Sequence, residues 1–91
     1  MKSKIYVEEV LVEKKDELEV VVLKCKILIG DINAGMDINV PFGDGVDMTV
    51  PVDEVGEAGD GFCTISINCD DQGDVEFLIG MGLDKQILTV E

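Results

Sequence analysis

The sequence predicts an all-β fold, a small barrel or sandwich of about seven short strands. Three observations carry that prediction. The first is the stretch Cys25-Lys-Ile-Leu-Ile-Gly30-Asp-Ile-Asn-Ala-Gly35-Met-Asp-Ile-Asn-Val40. It reads as a strand, a tight corner with a glycine at each end, and a second strand. Glycine suits both ends because it adopts positive φ without steric cost, and Ile32 is placed as an apolar plug beneath the turn. The second is the strict alternation from Phe62 to Cys69, which puts Cys63, Ile65, Ile67 and Cys69 on one face. The third is composition. Only Tyr6, Phe42, Phe62 and Phe77 are aromatic, so the core is mainly Val, Ile and Leu, which suit strands.

Taken in order, residues 4 to 12 alternate, with Ile5 and Val7 on the apolar side, and are expected to form a strand. The Glu, Lys and Leu between Glu8 and Glu19 also favour helix, with Val10, Leu11, Leu18, Val21 and Val22 loosely at helical spacing. The β-branched run that follows decides for two strands joined by a polar turn at 14–17. Residues 18 to 29 form the longest strand. Its Val/Leu run implies cover on both faces, and Lys24 and Lys26 further on face water. A short strand from Met36 to Phe42 leads to a turn at Gly43–Asp47. Residues 46 to 55 make another strand, which Pro51 places at an edge or a bend. Glu54 to Gly61 is expected to be a flexible acidic loop. Phe62 to Asn68 is a strand, Asp70 to Asp74 a turn, Val75 to Gly80 a strand, Gly82 to Lys85 a turn and Gln86 to Val90 a closing strand. No segment makes a convincing helix, and no linker or repeat divides residues 1–91, which read as one domain.

Charge and missing residue types narrow the function. The 91 residues carry a net charge of −13. Residues 1–26 hold six Lys against six acids. Residues 27–91 hold Lys85 alone against fourteen acids, so the deficit lies there. Such a surface repels phosphate backbones, which argues against nucleic acid, and favours basic partners, cations or solubility itself. The chain has no His, Arg or Trp. Without His, the Ser/His/Asp and Cys/His catalytic arrangements and the common zinc patterns are excluded. The fold is expected to have no catalytic activity and no cofactor.

Three cysteines, Cys25, Cys63 and Cys69, form no Cys-x-x-Cys pair. They read as buried reduced thiols of a cytoplasmic protein, with a reactive thiol or an intermolecular link as alternatives. Lys24 and Lys26 flank Cys25, but in a strand they point to the opposite face and leave the thiol structural. The start, Met-Lys-Ser-Lys followed by Glu8 and Glu9, does not read as a signal peptide, and no apolar stretch approaches membrane-spanning length.

Four patches resemble the second domain of translational GTPases of the elongation factor Tu type. Ile5-Tyr-Val-Glu-Glu-Val-Leu11 is similar to that family's first strand. Gly30-x-Ile-x-x-Gly35-x-x-Ile-x-Val40 is similar to its central corner. Gly73-Asp-Val-Glu-Phe-Leu-Ile-Gly80 resembles its Gly-Asp-x-Val strand, and Gln86-Ile-Leu-Thr-Val90 its final strand. The resemblance covers nearly the whole chain. It implies a small Greek-key β-barrel of about six to seven strands, with Gly30, Ile32, Gly35, Gly73 and Gly80 in structural roles. Cys25 stands where the family usually has glycine, and the family's flanking arginines are missing. In the family this barrel packs on a nucleotide-binding domain and helps hold the acceptor end of aminoacyl-tRNA. The Gly-x-x-x-x-Gly-Lys-Ser/Thr phosphate loop is absent here, so no GTPase activity carries over.

The acidic loops are the candidate sites. Asn68-x-Asp70-x-Gln72-Gly73-Asp74-Val75-Glu76 superficially follows calcium-loop spacing, which makes Asp70, Asp74 and Glu76 candidate ligands for calcium or magnesium. Against this, the first position is Asn, the twelfth is Ile79 where a bidentate Glu is needed, and the flanks read as strands. An exposed strand edge is a further candidate, able to take an extended peptide. The expected function is a non-catalytic binding module that meets a basic protein surface through its acidic part, with cation binding as the alternative. A thin core also gains stability by burying surface in a homodimer.

Overall fold

The computed structural model describes residues 2–41, 45, 47–69 and 71–91, with Lys15 described by its backbone alone. Among these residues lie seven antiparallel strands and one helix: β1 (Ser3–Lys15), β2 (Leu18–Ile29), β3 (Asp37–Pro41), β4 (Asp47–Pro51), β5 (Glu54–Gly59), β6 (Phe62–Cys69), α1 (Gln72–Gly80) and β7 (Ile87–Val90). The fold is all-β, as expected. One sheet runs β4-β3-β7-β1-β2-β6-β5, so non-consecutive strands lie side by side at β3–β7, β7–β1 and β2–β6.

The two edge strands of that sheet are separated in sequence only by Val52 and Asp53, and these two residues close the barrel. Val52 donates its N–H to the Met36 carbonyl (2.8 Å) and accepts from Gly35 N (2.9 Å), on the β3 side. Asp53 N donates to the Ser66 carbonyl of β6 (3.0 Å). Residues 47–59 thus behave as one bent strand that pairs on the β3 side through Val52 and with β6 from Asp53 onward. This is the bend that Pro51 predicted.

Each strand's period of two selects the core. Ile5 and Val7, Val21, Leu23 and Cys25, Ile38 and Val40, Ile65, Ile67 and Cys69, and Leu88 and Val90 all point inward and join one cluster. Val20 to Leu23 are buried at four consecutive positions, so β2 is covered on both faces there, as its apolar run implied. The β1–β2 hairpin turns at Asp16 and Glu17, both at positive φ (49° and 67°), the backbone of a two-residue turn matched to strand twist. Its outer end projects beyond the core and leaves Leu11, Val12 and Leu18 exposed.

Two sequence expectations are corrected. The segment Val75–Gly80 is not a strand: it lies in helix α1, and so does the whole patch Gly73–Gly80 likened to a family strand. Asp71 caps the helix, its Oδ1 accepting from Asp74 N at 3.0 Å. Val75 and Leu78, three apart, are the buried residues. A short continuous apolar run is compatible with either state. Here the cap and the need to cross from β6 to non-adjacent β7 decide for helix. Residues 54–59 are likewise not a loop but strand β5, whose Glu54, Val55, Gly56 and Glu57 face Ser66, Ile65, Thr64 and Cys63. Its Gly and Ala content hides a strand that the β6 ladder holds. The predicted strand end at Phe42 and most of the predicted turn at Gly43–Asp47 lie outside the described residues.

Candidate functional site

The central corner forms around a close backbone approach. Gly30 has φ +79° and Gly35 φ +96°. A Cβ on Gly30 would collide with the side chain of Ser3, whose Oγ donates to the Asp31 carbonyl at 2.7 Å. Ile32 is buried beneath the turn.

Ring order turns the charge asymmetry of the sequence into a spatial one. β1 and β2, which carry five of the seven lysines, with Lys2 just before them as a sixth, form one side of the barrel. β3, β4 and β5 form the other. They and the linking residues 52–53 hold Asp37, Asp47, Asp53, Glu54 and Glu57, all exposed, and no basic residue. The Asp53 carboxylate also organises this side, its Oδ2 accepting from Asn68 N at 2.7 Å. The lysines are partly engaged at home. Lys2 meets Glu91 at 3.2 Å and Lys85 meets Glu8 at 2.8 Å. Lys24 lies 5.0 Å over the Phe62 ring and pairs across strands with Glu9.

Two concavities flank the acidic side. A groove of about 160 Å³ runs between β4, the end of β6 and α1. Met48, Val50, Ile67, Phe77 and Leu78 line it, with Asp74 at the rim. On the β2–β6 side a wider cleft of about 520 Å³ is bounded by Ile27, Ile32, Ala34, Val55, Glu57 and Cys63. It exists because β2 outruns its neighbour. β6 pairs with β2 only as far as Cys25–Cys63, while Lys26 to Ile29 continue against β1 alone. Ile27, Leu28 and Ile29 are exposed in consequence.

The predicted cation ligands are not brought together as a calcium loop. Asp74 and Glu76 sit in α1, preceded by a strand, and Asp70 lies outside the described residues. Among the described residues no group of three or more Cys, Asp or Glu is placed to hold a metal ion. Gly73 and Gly80 are helical residues of α1.

None of the three cysteines is in a disulfide. Cys25 is buried, and burial, reinforced by the Cys63 thiol beside it, pushes its thiol well above the ordinary range. The flanking lysines do not activate it. The contact between Cys25 and Cys63 was missed in the sequence, where the two are 38 positions apart. Only the β2–β6 register joins them. No described helix is long and apolar enough to cross a membrane. No family model, curated protein or solved structure matches the chain.

Proposed function

We propose that this barrel is a non-catalytic binding module that engages a basic protein surface through the side formed by β3, β4 and β5. The observation that carries this reading is the segregation of charge around the barrel: five exposed carboxylates and no cation on the strands and link of that side. Such a field steers a basic partner and sets register more than it sets affinity. The apolar residues of the neighbouring groove, half-buried Met48 and exposed Phe77 among them, offer the contact area that charge alone does not supply. The corner at 30–35 and the closing strand support treating the barrel as a counterpart of the translational GTPase second domain, while helical 73–80 departs from it. The unbridged cysteines support a cytoplasmic setting.

The test is affinity capture from lysate of the source organism at low and moderate salt, with and without nuclease. The expected result is a protein partner lost with salt and retained after nuclease. The double reversal Glu54→Lys/Glu57→Lys should abolish that capture. Glu9→Lys/Glu13→Lys, with the same net charge but on β1, should retain it. Equal loss in both variants overturns the assignment to the β3–β5 side.

A further inference from the structure

We propose that Cys25 and Cys63 form a redox-active dithiol, a thiol–disulfide exchange site on the barrel wall at the cleft beside β2. The two residues are directly paired in the β2–β6 register, and their sulfurs lie 3.4 Å apart. Directly opposed residues in an antiparallel pair hold their Cβ atoms about 4.5–5.5 Å apart, while a disulfide takes about 3.5–4.5 Å. A small drawing-together of β2 and β6 therefore suffices to close the bond. The two thiols differ in access. Cys25 is fully buried, whereas Cys63 is half-buried and lines both the cleft and the adjoining hollow at the β5–β6 turn. Cys69 is no competitor. It lies six residues along the same strand, roughly 20 Å away at strand rise.

The co-reactant is a low-molecular-weight disulfide, RSSR. The Cys63 thiolate attacks one of its sulfurs, forming Cys63–S–S–R and releasing RS⁻, which takes up the proton that Cys63 lost. Cys25 then gives up its proton, and its thiolate attacks the Cys63 sulfur, forming Cys25–S–S–Cys63 and expelling the second RS⁻, which is protonated in turn. The protein loses two electrons and two protons, and RSSR gains both as two RSH. Burial of Cys25 makes closure the slower step, so the mixed disulfide accumulates first and closure accelerates as pH rises.

The test uses the folded chain with glutathione disulfide as probe, read by intact mass, thiol titration and non-reducing gel. Wild type should pass through a mixed disulfide to a monomer lighter by two hydrogens, with one titratable thiol left, and dithiothreitol should reverse this. Cys69→Ala retains only the proposed pair and should likewise lose two hydrogens through a mixed disulfide, with no titratable thiol left. Cys25→Ala should stop at the mixed disulfide, and Cys63→Ala should form no intramolecular bond. The Cys69→Ala variant decides the matter even if Cys25→Ala fails to fold. Its retention of both thiols, its arrest at the mixed disulfide at every pH, or its appearance as a dimer would overturn the proposal. Loss of two hydrogens by Cys63→Ala would do the same, because the bond would then involve Cys69.

Discussion

Ser3 is the buried polar side chain of the described chain, and it explains why Gly30 must be glycine. Its hydroxyl is satisfied by the Asp31 carbonyl, and it fills the space a Gly30 side chain would need. Gly30→Ala meets both a left-handed backbone and this collision, and should cost about 2–4 kcal/mol. Gly35→Ala meets open space and only the backbone penalty, about 1–2 kcal/mol. Urea midpoints at constant m-value measure both, and equal losses would remove Ser3 from the explanation. The glycine pair was legible in the sequence. The reason for Gly30 was not, because Ser3 arrives from a strand 27 positions away. A second residue-scale case is the exposed pair Glu8–Lys85. The hydrogen bond and charge of Lys85 hold the Glu8 carboxyl below its ordinary value, and Glu8 holds Lys85 above its own. The Glu8 contribution is present above the ordinary Glu value and lost as pH falls through the lowered one. The Lys85 contribution is present below the ordinary Lys value and lost as pH rises through the raised one. Lys85→Met should therefore move the Glu8 titration upward by NMR, with a stability effect at neutral pH that disappears in acid.

At the scale of elements, α1 shows where sequence pattern stops deciding. Val75-Glu-Phe-Leu-Ile79 read as a strand places Val75, Phe77 and Ile79 on one face. As a helix it buries Val75 and Leu78 and leaves Phe77 and Ile79 exposed. The two readings make opposite mutational predictions. Leu78→Ala should cost about 2–4 kcal/mol, while Ile79→Ala should stay within about 0.5 kcal/mol. Asp71→Ala should cost about 1 kcal/mol through loss of the cap. Thermal or urea denaturation of the three variants reads the order directly, and a larger cost for Ile79 than for Leu78 would restore the strand. The signal for the helix start was present as Asp71 three residues before Asp74, though an acidic turn has the same composition. β5 escaped for a different reason. Its glycines and acids carry little strand propensity, and the information that makes it a strand resides in β6, which supplies the ladder. By contrast, β2 and β6 were legible almost to the residue, because each has a buried face that fixes its period. The Cys25–Cys63 pair was not legible, because it depends on the register between those two strands and not on the pattern within either.

At the scale of the molecule, the net charge and the barrel's closure act on each other. Closing the sheet at Val52–Asp53 gathers the carboxylates of β3, β4 and β5 onto one side of a body with a radius of gyration of 12.3 Å. The unfolded chain keeps them further apart, so folding compresses an unbalanced field. The ion pairs shown among the described residues, Lys2–Glu91 and Lys85–Glu8, are both exposed. Screening them costs little, since solvent already weakens exposed ion pairs. Screening the like charges acts in the opposite direction. At 0.15 M ionic strength the Debye length is about 8 Å, shorter than the span across the barrel but longer than the spacing between neighbouring strands, so salt attenuates the repulsion without removing it. The free protein should therefore become more stable as sodium chloride is raised from near zero to about 0.15 M. Relief of about 1 kcal/mol corresponds to a Tm rise of roughly 4–8 °C in a domain of this size. The same salt should weaken capture of a basic partner, because the field that destabilises the fold is the field that attracts the ligand. Calorimetric melts and partner capture over one salt series test the two signs together. A Tm that falls with salt would mean that attractive pairs outweigh the acidic side, and the electrostatic basis of the proposed interface would go with it.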